Sequence, residues 1–448
     1  MAEQGAGDIV RRVREDGVEQ VRVVFLDYNG IARARSLMPE SLSGAFRRGV
    51  NFSSPTVDFN SRDLFPPGAA FNLASPDFFA RPDPSTYALV PYQPGVAQMY
   101  ADLVDARGEP WPGCPRTAVR RLVEKAAGLD LCFNVGFEPE GYIFADGPDG
   151  VSFLGAPRFA TLAGLDVESG FMRDLLGGLA AVGLEVLQWS EEYGPGQVEV
   201  NLHHADPLGA ADGVTTYKEM FRAIARRHGF MGTFMPKPFG DAAGSGMHVH
   251  LSAAPPGAGD NLFDEPGDEL GLSPAGRYAL GGLLTHGPAL TALGATTVNS
   301  YKRFLPGSWA PTHIVASYAS RAAFVRVPER ETARRLELRV GDGAGNPHIF
   351  LAGILAAMLD GIERAIEPAP IVSGDVGSLS EETAAAAGAV PVPRTLEHAL
   401  EALAADDVIC EGVGSLIVDE FVKVKRSEWD AFAGHVGAWD REWYLNRS

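Results

Sequence analysis

Four short segments of the chain set polar side chains two residues apart inside apolar runs. Glu138 and Glu140 sit in FNVGFEPEGYIF, His248 and His250 in GSGMHVHLS, and Gln197 and Glu199 in GPGQVEVNL, while Arg335, Glu337 and Arg339 alternate in RRLELRV. Glu191 stands eight residues before Glu199. Alternate residues of a strand point to one face, so each segment presents its polar groups together. A single pair of this kind is ordinarily a solvated sheet face. Four of them, on strands able to share one sheet, gather more carboxylates than burial tolerates without cations.

Five carboxylates (Glu138, Glu140, Glu191, Glu199 and Glu337) with one or two imidazoles (His248, His250) suit hard divalent metals. Oxygen-rich ligation favours Mg²⁺ or Mn²⁺, whereas zinc prefers more His or Cys. Arg303, Arg321, Arg326, Arg334, Arg335 and Arg339 add positive charge for phosphates and carboxylates. Carboxylate-held metals beside clustered arginines fit phosphoryl transfer.

The elements that must carry these groups alternate strand and helix. VRVVFLD (21–27), a Tyr28-Asn29-Gly30 turn and 31–35 read as a hairpin. A period-free stretch, 51–86, is too long for a plain connection. YALVPY and VAQMYADLV read as strands, and the three prolines of RGEPWPGCP mark a boundary. Two domains are therefore expected, a strand-rich one over 1–106 and a larger one over 107–448. In the larger, 131–144, 185–190, 197–203 and 247–252 are strand-like, and 117–127, 171–181, 217–228, 275–284 and 347–364 are helical. A helical tail is expected over 395–404, 416–422 and 427–444, its aromatics Trp429, Trp439, Trp443 and Tyr444 packing on the core or a neighbour. This is α+β rather than a doubly wound sheet.

Composition narrows the partners. The 448 residues carry 57 acidic against 38 basic side chains, a net charge of -19. Nucleic acid and anionic membrane would be repelled in bulk. The first residues are charged and lack the apolar core of a secretory signal, and no apolar run suffices to span a bilayer. Three widely spaced cysteines, Cys114, Cys132 and Cys410, offer no disulfide framework and read as small buried hydrophobes. A cytoplasmic protein is expected.

At these residues the chain resembles the glutamine synthetase family. The matching segments run in order: VxFLDYNGxxRAR, GFEPEGYIF, EEYGPGQVE, GSGMHVHLS, NSYKRFLPG, RRLELR followed by GNP, and EFVKVKRSEW with EWYL. The resemblance implies an N-terminal β-grasp domain and a catalytic domain built on a curved antiparallel sheet. It implies homo-oligomers of stacked rings, usually dodecamers, whose active sites are shared by neighbouring subunits. By the same resemblance Glu140, Glu191 and Glu199 hold one metal, and Glu138, His248 and Glu337 hold a second beside ATP. His250, Arg321, Arg326 and Arg335 contact the nucleotide and its phosphates. Arg303, Gly244 and Arg339 hold the acid substrate, and Arg321, Arg339 and Glu191 form the catalytic set. The implied reaction activates the γ-carboxylate of glutamate with ATP and Mg²⁺ (or Mn²⁺), after which an amine displaces phosphate.

Departures from the family pattern concern the acceptor. Where ammonium-using members carry a glutamate after the PG of the substrate arginine, this chain has Trp309 in PGSWAP. Where they carry an aspartate in the N-terminal loop, NFSSP supplies Asn51. Exchanging carboxylate for indole removes the charge a small cation needs and adds apolar, cation–π surface. An organic amine is the expected acceptor: an alkylamine, amino alcohol, polyamine or arylamine. Ala243 replaces an asparagine that grips glutamate, and IVSGDVGSLSEE lacks the tyrosine that adenylylation requires. An ordinary glutamine synthetase and a non-catalytic scaffold or sensor are the competing readings. The glycines of 341–345 and the pair His203–His204 are expected to be structural.

Overall fold

The computed structural model describes residues 2–446 except 149, 157, 167, 258, 269–270, 329–333 and 380. Hydrophobic alternation builds two sheets in sequence order. In the first, Gln20–Leu26 pairs antiparallel with Ala32–Leu37 and parallel with Val96–Val104. Phe78–Pro82 and Val50–Phe52 extend that sheet on the far side, and Ala88–Leu89 pairs with Val96–Val104. The hairpin turn is the expected Tyr28-Asn29-Gly30. The long 51–86 stretch ends in a strand at each side, and most of the intervening chain is irregular.

Among the described residues the second sheet has nine strands, and it is where the paired polar residues lie. Its order is Ala316–Ser317, Val325–Arg326, Leu336–Leu338, Met247–Ala254, Cys132–Gly147, Gln197–Leu202 and Val186–Glu191. Phe230–Thr233 and Gly150–Ser152 also pair with Cys132–Gly147, which is the central strand. All pairings but that of Ala316–Ser317 with Val325–Arg326 are antiparallel.

Helices cover the rest of the core. Pro347–Glu363 is apolar all round and almost wholly buried, as a central helix must be. Its N-cap Asn346 accepts from the N–H groups of His348 and Ile349 and donates to the Asp27 carbonyl at 2.7 Å. This bond ties the first sheet to the central helix. Gly30 permits the approach, because a Cβ there would stand 2.4 Å from the Gly345 carbonyl oxygen, and its φ of 77° suits only glycine.

Several expectations shift. The helix expected from Tyr217 begins at Pro207, capped by Asp206, which accepts from the N–H groups of Leu208 and Gly209. The tail runs as one helix, Ser415–Ala433, and a second, Ala438–Tyr444, with Gly434 and Gly437 in the break. Trp429 packs on the core, whereas Trp439, Trp443 and Tyr444 are exposed and pack on one another. Cys114 is buried as expected, but Cys132 is exposed, at the very start of the central strand. The glycines of 341–345 belong to packed turns: a Cβ on Gly341, Gly343 or Gly345 would meet a neighbour within 2.9 Å. Among the described residues no helix is long and apolar enough to cross a membrane.

Candidate active site

Strand register converges the polar pairs. Glu138 stands opposite His248, His250 opposite Glu337, and Glu337 also opposite Arg326. Glu199 stands opposite Glu140 on one side and Ser190 on the other. Directly opposed residues share a face, so one face of the sheet becomes an acidic floor. A cavity of about 420 Å³ over that floor is lined by Glu138, Glu140, Glu192, Glu199, His248, Arg303, Trp309, Arg321 and Arg339, with Gly244 at its edge. A second cavity of about 560 Å³ on the other side of Glu138 is lined by His204, His250, Arg334 and Arg335. Glu138 is thus a shared wall between two openings.

The floor is short of positive charge. Burial would raise the Glu138 carboxyl, but His248 Nδ1 at 3.2 Å and His250 Nε2 at 3.0 Å hold it well below the usual range. Arg335 Nε donates to His250 Nδ1 at 3.0 Å, so the His250 proton lies on Nε2, toward Glu138. Glu337 is buried too, yet Arg339, His250, His248 and Arg326 lower it to about 2. Glu199 goes the other way: burial and the charges of Glu138, Glu140 and Glu192 raise it strongly. Glu192 is pushed up to about 7 by burial and by Glu140, against a smaller opposing pull from Arg321.

These acids crowd one face with too few internal partners, which is the condition a divalent cation relieves. The donors also fit one. Glu138, Glu199 and His248 each bring an atom within 4.8 Å of the others, and so do Glu138, His250 and Glu337.

One expected residue is misplaced. Glu191 pairs with Val198, not Glu199, so its side chain lies on the opposite face of the sheet. Its carboxylate is buried there, 3.8 Å from the Arg158 guanidinium. Glu192 occupies the cavity instead, feeling Glu140, Glu138 and Arg321. Even spacing misleads across a turn: opposed residues here sum to an odd number, so residues sharing a face are an odd number apart. Asn51 also stays outside this chain's cavity. It lies exposed in the first sheet, its amide donating to Asp77 at 3.3 Å.

The remaining expected groups do assemble. Arg303 is 5% exposed, with Nη1 reaching Asp342 at 3.5 Å and the Val340 carbonyl at 3.4 Å. Gly244 sits against it: a Cβ there would stand 2.8 Å from Arg303 Cγ. Arg339 bonds Glu337 and donates from Nε to the Arg321 carbonyl at 2.7 Å. Gln197 bridges Glu140 and the Gly244 carbonyl, each at 3.0 Å. His203 and His204 stack at 4.3 Å, and His204 lines the second cavity.

This floor and its arginines lie within residues 112–444, which match the family model described as the glutamine synthetase catalytic domain. The chain belongs to the glutamine synthetase family. The glutamine synthetase of Halobacterium salinarum is 32% identical over 97% of this chain and 95% of its own length. That of Thermotoga maritima is 34% identical over 98% of each. Among solved structures, "GmaS/ADP complex-Conformation 1" superposes with a TM-score of 0.88 at 33% identity, covering 97% of this chain and 99% of the other. "Apo GmaS without ligand" gives 0.86 at 33% identity, over 98% and 99%. As a glutamine synthetase family member the chain is an ATP-dependent carbon–nitrogen ligase acting on small molecules.

The resemblance alone could not have located Phe159 and Tyr193, which also line the first cavity. Both lie in turns, where no periodicity assigns a face. The EEY run offered the only signal.

Proposed function

We propose that this ligase joins the γ-carboxylate of glutamate to an organic amine. In the first step a carboxylate oxygen attacks the γ-phosphorus of ATP, ADP leaves, and an acyl phosphate forms. In the second the amine nitrogen attacks the carbonyl carbon, phosphate leaves, and the nitrogen loses a proton. Arg303 and Gly244 shape the place for the acid substrate. Arg321 and Arg339 offset charge developing on the transferred phosphoryl group, and His250, Arg326 and Arg335 serve the nucleotide side. Divalent cations held by Glu140, Glu192 and Glu199, and by Glu138, His248 and Glu337, would supply the remaining neutralisation. We take 1–106 as a β-grasp domain and 107–448 as the catalytic domain, in a cytoplasmic homo-oligomer of stacked rings. Asn51, exposed on the first domain, would then approach a neighbour's site.

The observation that carries the acceptor reading is Trp309. Its indole lines the cavity that holds Arg303 and Arg339, and its PGSWAP loop contains no carboxylate. The neighbours named GmaS agree with a family branch apart in name from the glutamine synthetases. An ordinary glutamine synthetase is the second reading, favoured by the names of the sequence relatives and by Asp241 and Glu192 in the same cavity.

The test is phosphate release with ATP, Mg²⁺ and glutamate, comparing ammonium with methylamine, ethanolamine, putrescine, spermidine and aniline. Strong stimulation by an organic amine, with ammonium poor, is expected. Ammonium as best acceptor would establish the second reading instead.

A further inference from the structure

We propose that Phe159, Tyr193 and Trp309 form the recognition wall for the acceptor, and that the acceptor is a small alkyl monoamine bound as its ammonium cation, which gives one proton to a carboxylate of the cavity before its nitrogen attacks. This deepens the amide-ligase reading above and rests on it.

Three separate segments of chain deliver the three rings. Phe159 stacks on Tyr193 with centroids 4.0 Å apart and planes at 11°. Tyr193 meets Trp309 edge to face at 5.0 Å and 76°. All three line the cavity over Glu140 and Glu192, yet they are 39%, 43% and 50% exposed. Large rings gathered at a cavity mouth and left open there mark a binding surface rather than a core.

The backbone is held at some cost to present them. Trp309 has φ 60°, a left-handed conformation unfavourable for a residue with a Cβ. Its turn is pinned by Ser308 Oγ, which donates to the Arg303 carbonyl at 2.6 Å, so the indole is tied to the residue beneath it. Ala160, next to Phe159, also has a positive φ of 51°, and its N–H donates to the Glu191 carbonyl at 3.2 Å. On the other side of Phe159, the Arg158 guanidinium lies 3.8 Å from the Glu191 carboxylate. Glu191, turned away from the acidic floor, therefore anchors the loop that places Phe159 and is a positioning residue.

The wall discriminates by charge and shape. Aromatic faces attract an alkylammonium, and its methyl or methylene groups lie against ring carbon. Ammonium gains nothing from that apolar contact; the carboxylates of the cavity, Glu192 and Asp241, accept from the N–H groups of either cation, so the rings decide between them. A polyamine carries further charges that this wall leaves unpaired. Aniline is neutral near pH 7 and forfeits the ionic attraction. The cavity, about 420 Å³, must also admit the acid substrate, which keeps the amine small.

The experiment is steady-state kinetics of the full chain with ATP, Mg²⁺ and glutamate, using ethylamine, ammonium, putrescine and aniline as acceptors. Wild type, Phe159→Ala, Tyr193→Ala and Tyr193→Phe are compared. Ethylamine is expected to lead in wild type. Each alanine variant should lower the ethylamine-to-ammonium ratio of kcat/KM about tenfold, mainly through the ethylamine KM. Tyr193→Phe should keep the ratio. The ADP-induced rise in melting temperature, preserved in every variant, separates lost recognition from lost fold. An unchanged ratio in both alanine variants overturns the wall, and putrescine or aniline leading in wild type overturns the acceptor class. Ammonium leading in wild type sinks the amide-ligase reading itself, before any variant is made.

Discussion

Glu199 and Glu140 stand directly opposite one another across the antiparallel pair Gln197–Leu202 and Cys132–Gly147. Like charges so placed destabilise a sheet, and Glu138 and Glu192 crowd the same face. Folding alone gives no reason for such an arrangement, whereas binding a divalent cation does.

Glu199→Gln should therefore stabilise the metal-free protein. Near neutral pH the raised Glu199 carboxyl must take up a proton as the chain folds, a cost the amide does not carry; sparing it is worth about 1 kcal/mol or more, or about 2 °C in melting temperature for a chain of this size. Added Mg²⁺ should raise the wild-type melting temperature and leave the variant's nearly unmoved. Scanning calorimetry in EDTA and in Mg²⁺ measures both, and a variant less stable than wild type in EDTA would contradict the account.

Glu337 is a different case, because its charge is compensated inside the protein. Arg326 Nη1 reaches it at 2.5 Å and Arg339 bonds its other oxygen. Glu337→Ala leaves two guanidinium groups facing an empty place, at a cost of about 3–5 kcal/mol. ATP hydrolysis should fall by about two orders of magnitude or more, also in the milder Glu337→Gln. Hydrolysis at the wild-type rate in the glutamine variant would remove Glu337 from the nucleotide site.

At Gly244 the prediction separates binding from chemistry. A methyl group there would press on Arg303 Cγ at 2.8 Å and on the Pro236 carbonyl at 3.1 Å. Gly244→Ala should shift Arg303 and raise the KM for glutamate by about tenfold to a hundredfold. The nucleotide, which we propose meets His250 and Arg335 of the second cavity, should bind as before. Initial-rate kinetics with glutamate and ATP varied in turn would show the split. A raised KM for ATP alone would contradict it.

The loop that leaves the strand Val50–Phe52 predicts a pH effect of its own. Asp58 is buried near Glu420 of the helix Ser415–Ala433, and burial, then that neighbouring carboxylate, raises it to about 7. An acid raised in the folded state favours folding most below its unfolded value near 4. That contribution is lost as pH rises through about 7. Asp58→Asn should accordingly raise the urea midpoint more at pH 8 than at pH 5, because the cost of the raised carboxyl builds up from about pH 4 to about pH 7. A gain at pH 5 larger than that at pH 8 would reverse the sign and refute the assignment.

Alternation within a strand is local, and so the sequence by itself determined much of the site. Glu138 with Glu140, His248 with His250, and Glu337 between two arginines follow from a period of two, whatever the strands pair with. The α+β class and the Tyr28–Gly30 hairpin were legible for the same reason. Three things were decided only by the tertiary structure. Glu192 rather than Glu191 joins the acidic floor because register across the turn places Val198, not Glu199, opposite Glu191; a slip of one residue reverses the face. Phe159 and Tyr193 reach Trp309 because two irregular loops fold over the sheet, and loops carry no period from which a face could be read. Asp58 meets Glu420 of the tail helix hundreds of residues later, a contact between segments too distant in sequence for any local period to show. Local chemistry writes which groups share a strand face; only packing decides which faces meet.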